Sequence, residues 1–480
     1  MQHLDRLLLD PATRADLWRT VTAEIERYIG DRDQLPIAPE VSPDTIRADL
    51  ADLTFAQPLE PRAAIAVALR GLREQQMHTG HRRSFGLFNP TPATMGIAAD
   101  ALVAAFNPQL AAWGHSPFAV EVEQHLIRAF ADRFGYNAKE TDGTFTSGGN
   151  EANHTALICA LTSTFAQFSR SGLRGLERQP VLYASSESHH SLVKATRACG
   201  LGTDALRLIA TDDRLGMDVA ALHEAIVRDR AAGLAPFMVV ATAGTTSAGC
   251  IDPLAAIADL AAQHGLWLHV DAAWGGAAAL VPELRPLLHG IERADSITFD
   301  AHKWLAVPMG GGLFLTRHRD VLGQAFRVTP SYIPPNVDGL EVVDPYTHSL
   351  QWSRRFIGLK LFLTLLVAGW DGYAAMIRQQ IALGDQLRAA LADTQWRVLN
   401  DTPLPVVCFA DGWRPHGSRS HLDAILRETT ATGEVWLSVT QLAGYMPALR
   451  ACVTSYRTTA DDVIALVEML NRARGSCRTH

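Results

Sequence analysis

The chain has 480 residues, of which 48% are apolar and 19% charged, with a formal net charge of −7. That length allows two or three domains with a large core, and the composition excludes general disorder and a broad basic surface for nucleic acid. Six scattered cysteines argue against a zinc ribbon, a redox CxxC pair or a disulfide framework, and no stretch has the leader pattern or the roughly 18 apolar residues of a spanning helix, so a cytoplasmic protein without a membrane partner is expected.

Residues 1–88 read as a helical N-terminal segment: "PATRADLWRTVTAEIERYIG" has helical apolar spacing, and the Pro-rich "DQLPIAPEVSPD" cannot continue it. It is too interrupted to hold a core alone and is expected to pack on a partner subunit. From 89 to 372, short apolar runs alternate with helical patterns: "VLYAS" (181–185), "LRLIAT" (206–211), "PFMVVATAG" (236–244), "LWLHVDAAW" (266–274), "SITFDAHKW" (296–304) and "GGLFLTR" (311–317). Strands rich in Val, Leu and Ile between helices predict an α/β domain with a mainly parallel sheet covered by helices, its chemistry at the carboxyl ends of the strands. The four-proline stretch "RVTPSYIPPNVDGLEVVDPYTHSLQW" reads as a lid-type loop, and "RRFIGLKLFLTLLVAGW" after it as a buried helix. Residues 373–480 alternate helix and strand again, which predicts a smaller C-terminal α/β domain.

Four strand-end elements carry candidate chemistry. "TFTSGGNEANHTAL" brings Gly148, Gly149 and Asn150 to the start of a helix, where free amides attract phosphate, although a Gly pair is equally an ordinary turn. "SSESHHSLVKA" holds His189 and His190, either of which could stack on a flat ring or be a satisfied structural group. Asp271 ends the run "LHVD", where it could cap a helix, act as a base or hold a protonated ring nitrogen; no HExxH spacing supports a metal, and none is expected. Lys303 lies in "DAHKW", one of only four lysines among 43 cationic residues. An amine condenses with a carbonyl to an imine, and a guanidinium does not readily do so. A phosphate cradle, a ring contact, a strand-end carboxylate and an imine-capable lysine together describe a pyridoxal 5'-phosphate site.

"HRRSFGLFNPTP", "TSGGNEA", "SHHSLVKA", "TAGTTSAGCIDP", "HVDAAWGG", "DAHKW", "WSRRFIGLKLF" and "ALRACVTSYRTT", in that order, resemble the group II pyridoxal-phosphate decarboxylases of aromatic amino acids, histidine and glutamate, over nearly the whole chain. The resemblance implies the fold type I (aspartate aminotransferase-like) architecture and a homodimer with shared active sites. It implies Lys303 as the Schiff-base lysine, Asp271 on the pyridinium nitrogen, His190 stacked on the ring, and Gly148, Gly149, Asn150 and His302 at the phosphate, with Thr246 and Ala273 lining the cofactor. Tyr332 falls at the position of the loop tyrosine that protonates the carbanion. Relatives that release aldehydes often carry phenylalanine there, so Tyr332 implies simple decarboxylation rather than an aldehyde synthase.

The substrate side chain is expected against Leu87 and Phe88, against Ala111 from the partner subunit, and near Ser353. Leu87 and Ala111 stand where aromatic-acid decarboxylases usually carry aromatics. An aromatic L-amino acid is the expected substrate, with glutamate, aspartate and 2,4-diaminobutyrate as alternatives; for an acidic one, Arg82 and Arg83 are the nearby cations, although they read first as a solvated surface pair. A catalytically silent relative need not keep Lys303, Asp271, His190 and Tyr332 together.

Overall fold

A computed structural model describes residues 5–328, 342–413 and 418–477. Its central sheet has seven strands: β1 (Asp142–Thr146), β2 (Pro180–Ser185), β3 (Leu206–Ile209), β4 (Ala235–Thr242), β5 (Trp267–Asp271), β6 (Ser296–Asp300) and β7 (Gly312–Thr316), in the spatial order β1-β7-β6-β5-β4-β2-β3. β2 to β6 pair in parallel with β3 at one edge, and β7 runs antiparallel to both β1 and β6. Six of these strands, all but β3, are buried along nearly their whole length, which is why they read as apolar runs rather than as alternating ones. The sheet is mainly parallel, as the sequence predicts.

The helix Gly149–Thr164 packs across β4 to β7 and covers one face. The opposite face meets the cluster that includes Phe130, Phe134, Phe299 and Trp304. A second, four-stranded antiparallel sheet follows in the order β10-β11-β9-β8: β8 (Trp396–Val398), β9 (Val406–Asp411), β10 (Ser438–Leu442) and β11 (Met446–Cys452). It has its own core around Phe409, Leu449 and Leu470. Phe85, from the segment before the large sheet, is buried in that smaller core, and its amide and carbonyl pair with Trp436 and Cys452.

Two sequence expectations change. The apolar stretch after Ser353 enters the helix Gly358–Asp393, long and apolar enough by composition to cross a membrane, yet it is broken at Gly369 (φ 63°, ψ 176°) and packs on the helices Thr94–Phe106, Pro117–Arg133 and Ala460–Ser476. It is not buried throughout, because Leu366 and Val367 beside the break are exposed. Its N-terminal end is fixed where Arg354 makes two hydrogen bonds to the buried carboxylate of Glu123, at 3.0 and 2.6 Å, and Glu123 also accepts from the Gly358 amide.

Arg82 and Arg83 are neither a solvated pair nor directed to the pocket. The Nε of each lies within 3.0 Å of Asp462 Oδ1, and that side chain is fully buried. Asp462 also completes a capping box with Thr459 at the start of Ala460–Ser476. The two arginines therefore strap the chain that leads into Phe85 onto the smaller domain.

Candidate active site

The carboxyl ends of β1, β2, β4, β5 and β6 converge on one pocket, lined by Gly149, Asn150, Asn153, His189, Thr242, Gly244, Thr246, Asp271, Ala273, Trp274 and Lys303. Parallel strands place their loops on one edge, so residues more than 150 positions apart in sequence meet there. At the end of β1 the backbone turns through Gly148 (φ 157°, ψ 177°) into the helix Gly149–Thr164. A Cβ on Gly149 would come within 2.9 Å of Asp300 Oδ2, so only glycine lets this turn lie against β6. The first amides of that helix lack intrahelical partners and form a ready anion cradle.

Asp271, the last residue of β5, is buried. Its Oδ2 accepts from Asn153 Nδ2 at 2.7 Å and its Oδ1 from the Ala273 amide at 3.1 Å. Lys303 follows the end of β6 and pairs with Asp300 Oδ2 at 3.0 Å, while Asp300 Oδ1 is buried without a hydrogen-bond partner. His302 packs behind the turn: a Cβ on Gly148 would lie 3.1 Å from its ring, and its Nδ1 accepts from the Gly311 amide at 3.2 Å. Burial lowers the His302 pKa and favours the neutral imidazole.

The two adjacent histidines separate here. His189 lines the pocket, its Nδ1 accepting from the Ser191 amide at 3.2 Å, and burial lowers its pKa, partly offset by Asp271. His190, the expected stacking residue, is instead the N-cap residue of the helix Ser191–Ala198 and, although both histidines are exposed, does not line the pocket. The turn after β2 points only the first of the pair inward.

An acceptor at Asp271, an amine at Lys303, a helix-start cradle at Gly149 and Asn150, and lining residues at His189 and Ala273 fit pyridoxal phosphate in the charge and order of its groups. Among the described residues no cluster of three or more His, Cys, Asp or Glu could hold a metal.

The chain matches the pyridoxal-dependent decarboxylase conserved domain over residues 43–411. It belongs to that family. An aromatic-L-amino-acid decarboxylase of Bacillus atrophaeus is 30% identical over 439 residues, covering 90% of this chain and 89% of the relative. An L-2,4-diaminobutyrate decarboxylase of Rhizobium meliloti is 32% identical over 423 residues, covering 87% and 83%. A human acidic amino acid decarboxylase is 30% identical over 404 residues, covering 84% and 74%. The crystal structure of Oryza sativa TDC with PLP and tryptamine superposes with a TM-score of 0.89 at 26% identity, covering 98% of this chain and 99% of that one. The protein is a pyridoxal-phosphate-dependent amino acid decarboxylase, a carboxy-lyase.

Of the residues expected at the substrate, Phe88 is buried and stacks on Trp274 with ring centroids 4.5 Å apart, which makes it part of the wall behind the pocket. Arg450 lies over the Phe88 ring and donates to the carbonyls of Thr246 and Gly86, tying the segment before Phe88 to the turn that lines the pocket. Leu87 is partly exposed beside it. Ala111 and Ser353 come together elsewhere, on adjoining segments: Ala111 O accepts from the Tyr346 amide and Ser353 Oγ from Gln109. Neither lines the Lys303 pocket of the same chain. Tyr332 lies outside the described residues.

Sequence reasoning missed Asn153 and Asp300, and the resemblance favoured His190 over His189. A signal for the first two was available, since a polar residue within a buried helix face or strand needs a partner. His189→Ala is expected to weaken cofactor binding by up to about tenfold, the range of a lost stacking contact, while His190→Ala leaves it unchanged. Titration of the apoenzyme with pyridoxal phosphate checks this, and the reverse order would contradict the placement.

Proposed function

We propose that this enzyme decarboxylates an aromatic L-amino acid to the amine and CO2. The observation that carries the reading is the wall behind the pocket, where Phe88 stacks on Trp274 while Arg82 and Arg83, the cations nearby in sequence, are held by Asp462. A flat apolar wall takes an aromatic ring at little desolvation cost, and a second carboxylate would need a cation.

Bound pyridoxal phosphate supplies the electron sink for the pair released with CO2. Lys303 would hold the cofactor through its amine, and Asp300, 3.0 Å from Nζ, is placed to hold that amine's proton. Asp271 would pair with the ring nitrogen and hold its proton. His189 and Ala273 would line the ring. Gly148, Gly149 and Asn150, with His302 behind them, hold the phosphate. Tyr332 returns the proton to Cα, which favours the amine over the aldehyde as product.

The working unit we propose is a homodimer with shared sites. The helices Pro11–Asp31, Pro43–Ala51 and Pro61–Glu74 bury none of their residues within the chain, and Trp18, Leu50 and Leu72 on them stay exposed. An apolar surface of this kind calls for a partner. Ser353 would then face the partner's pocket, whereas Ala111 is buried within its own chain. All six cysteines are free, in keeping with a reducing cytoplasm.

CO2 release across a panel of L-amino acids should be fastest with an aromatic member; turnover only of glutamate, aspartate or 2,4-diaminobutyrate would contradict the substrate reading. In the same assay Tyr332→Phe should lower amine formation by roughly a hundredfold to ten-thousandfold, the worth of a general acid, and raise aldehyde and peroxide. Unchanged products would remove Tyr332 from the mechanism. Ser353→Trp and Lys303→Ala should each be inactive, and co-expression should restore activity through hybrid dimers; an active Ser353→Trp enzyme or an inactive hybrid would contradict the shared site.

A further inference from the structure

β5 and β6 are buried, yet on the face beneath the helix Gly149–Thr164 every second residue has a polar group: Trp267, His269 and Asp271 on one strand, and Ser296, Thr298 and Asp300 on the other. Such groups are costly in a core unless their donors and acceptors are matched. Here they form a chain with one consistent direction. Trp267 Nε1, which can only donate, gives its proton to Ser296 Oγ at 2.9 Å. The Ser296 hydroxyl then donates to His269 Nδ1 at 2.9 Å.

Asn153 Oδ1 can only accept, and it takes the Thr298 hydroxyl at 2.7 Å and His269 Nε2 at 3.0 Å, so the ring proton of a neutral His269 sits on Nε2 and Nδ1 is left to accept from Ser296. Burial lowers the His269 pKa to about 4, in keeping with a single ring proton. Asn153 Nδ2 donates to Asp271 Oδ2 at 2.7 Å and to Ser191 Oγ at 2.9 Å. Turning the amide over would set its oxygen against the carboxylate, so this orientation is the one that closes every bond.

We propose that Trp267, Ser296, His269 and Asn153 are positioning residues: they fix one imidazole tautomer and one amide orientation behind Asp271, and so present its carboxylate to the cofactor ring nitrogen in a single geometry. This rests on the assignment of Asp271 to that nitrogen. In a water-free interior each bond of such a chain strengthens the next, so a break three groups away is felt at the carboxylate. A purely structural role for His269 would require only that its volume be filled.

The test uses holoenzyme and reads cofactor affinity, the absorption spectrum of bound cofactor and the ring-nitrogen shifts of 15N-labelled histidine. Wild type should show His269 as the Nε2–H tautomer, neutral between about pH 5 and 8, where an ordinary histidine titrates. His269→Leu should weaken cofactor binding roughly ten- to a hundredfold, the range for a hydrogen bond lost next to a charged group, with a changed absorption maximum. His269→Gln, which keeps an amide donor toward Asn153, should stay near wild type. Ser296→Ala removes one hydroxyl with little change in packing and should shift both readouts in the same direction, which decides the matter if His269→Leu does not fold.

An Nδ1–H tautomer, an imidazolium in that pH range, or wild-type affinity and spectrum in His269→Leu or Ser296→Ala would overturn the proposal. If Asp271→Ala loses the cofactor signature while His269→Leu keeps it, the relay alone falls. If Asp271→Ala keeps the signature, the assignment of Asp271 falls and the relay with it.

Discussion

The hydrogen bond from Asn153 to Asp271 joins the two elements that make the pocket. Asn153 lies on the helix that begins at the Gly148–Gly149 turn, and Asp271 ends the central strand β5. With the helix set against that strand, the anion cradle at its start and the carboxylate at the strand end have a fixed separation, as a ligand with a phosphate at one end and a ring nitrogen at the other requires. Lys303 enters the same space from the neighbouring strand, β6. The close approach depends on Gly149, because any side chain there would collide with Asp300.

The apparent burden of a cationic lysine in an apolar setting is resolved by Asp300. The ammonium of Lys303 pairs with that carboxylate, and in the proposed attachment of the cofactor the same nitrogen would join a conjugated system. Asp300 Oδ1 has no hydrogen-bond partner in the buried site, so the pair is not a saturated structural ion bridge. An incompletely satisfied ion pair is easier to dissolve when the lysine changes its bonding.

Much of this was legible in the sequence. The buried strands announce themselves as short apolar runs between helical patterns: β2, β4 and β7 lie within a residue or two of those runs, while β5 and β6 end at Asp271 and Asp300, before the runs do. Lys303 and Asp271 stand out because each ends such a run with a residue type that needs a reason to be there. The histidine did not resolve: His189 and His190 are chemically identical neighbours, and only the backbone path out of β2 decides which enters the pocket. The partner of Arg82 and Arg83 was equally hidden, since Asp462 lies about 380 positions away. The break at Gly369 left no trace because the apolar pattern continues on both sides of it. Asn153 and His269 carried a faint signal, polar groups in buried elements, but their pairing is a fact of tertiary structure.

The claim on which everything else depends is that Lys303 carries the cofactor, and the scarcity of lysine makes it unusually open to test. The alternatives are Lys139, Lys194 and Lys360, of which Lys360 is held by Asp100 and two backbone carbonyls. Borohydride reduction of the holoenzyme followed by peptide mass spectrometry should find the phosphopyridoxyl group on the peptide containing "DAHKW". Its appearance on another lysine, or on none, would contradict the account.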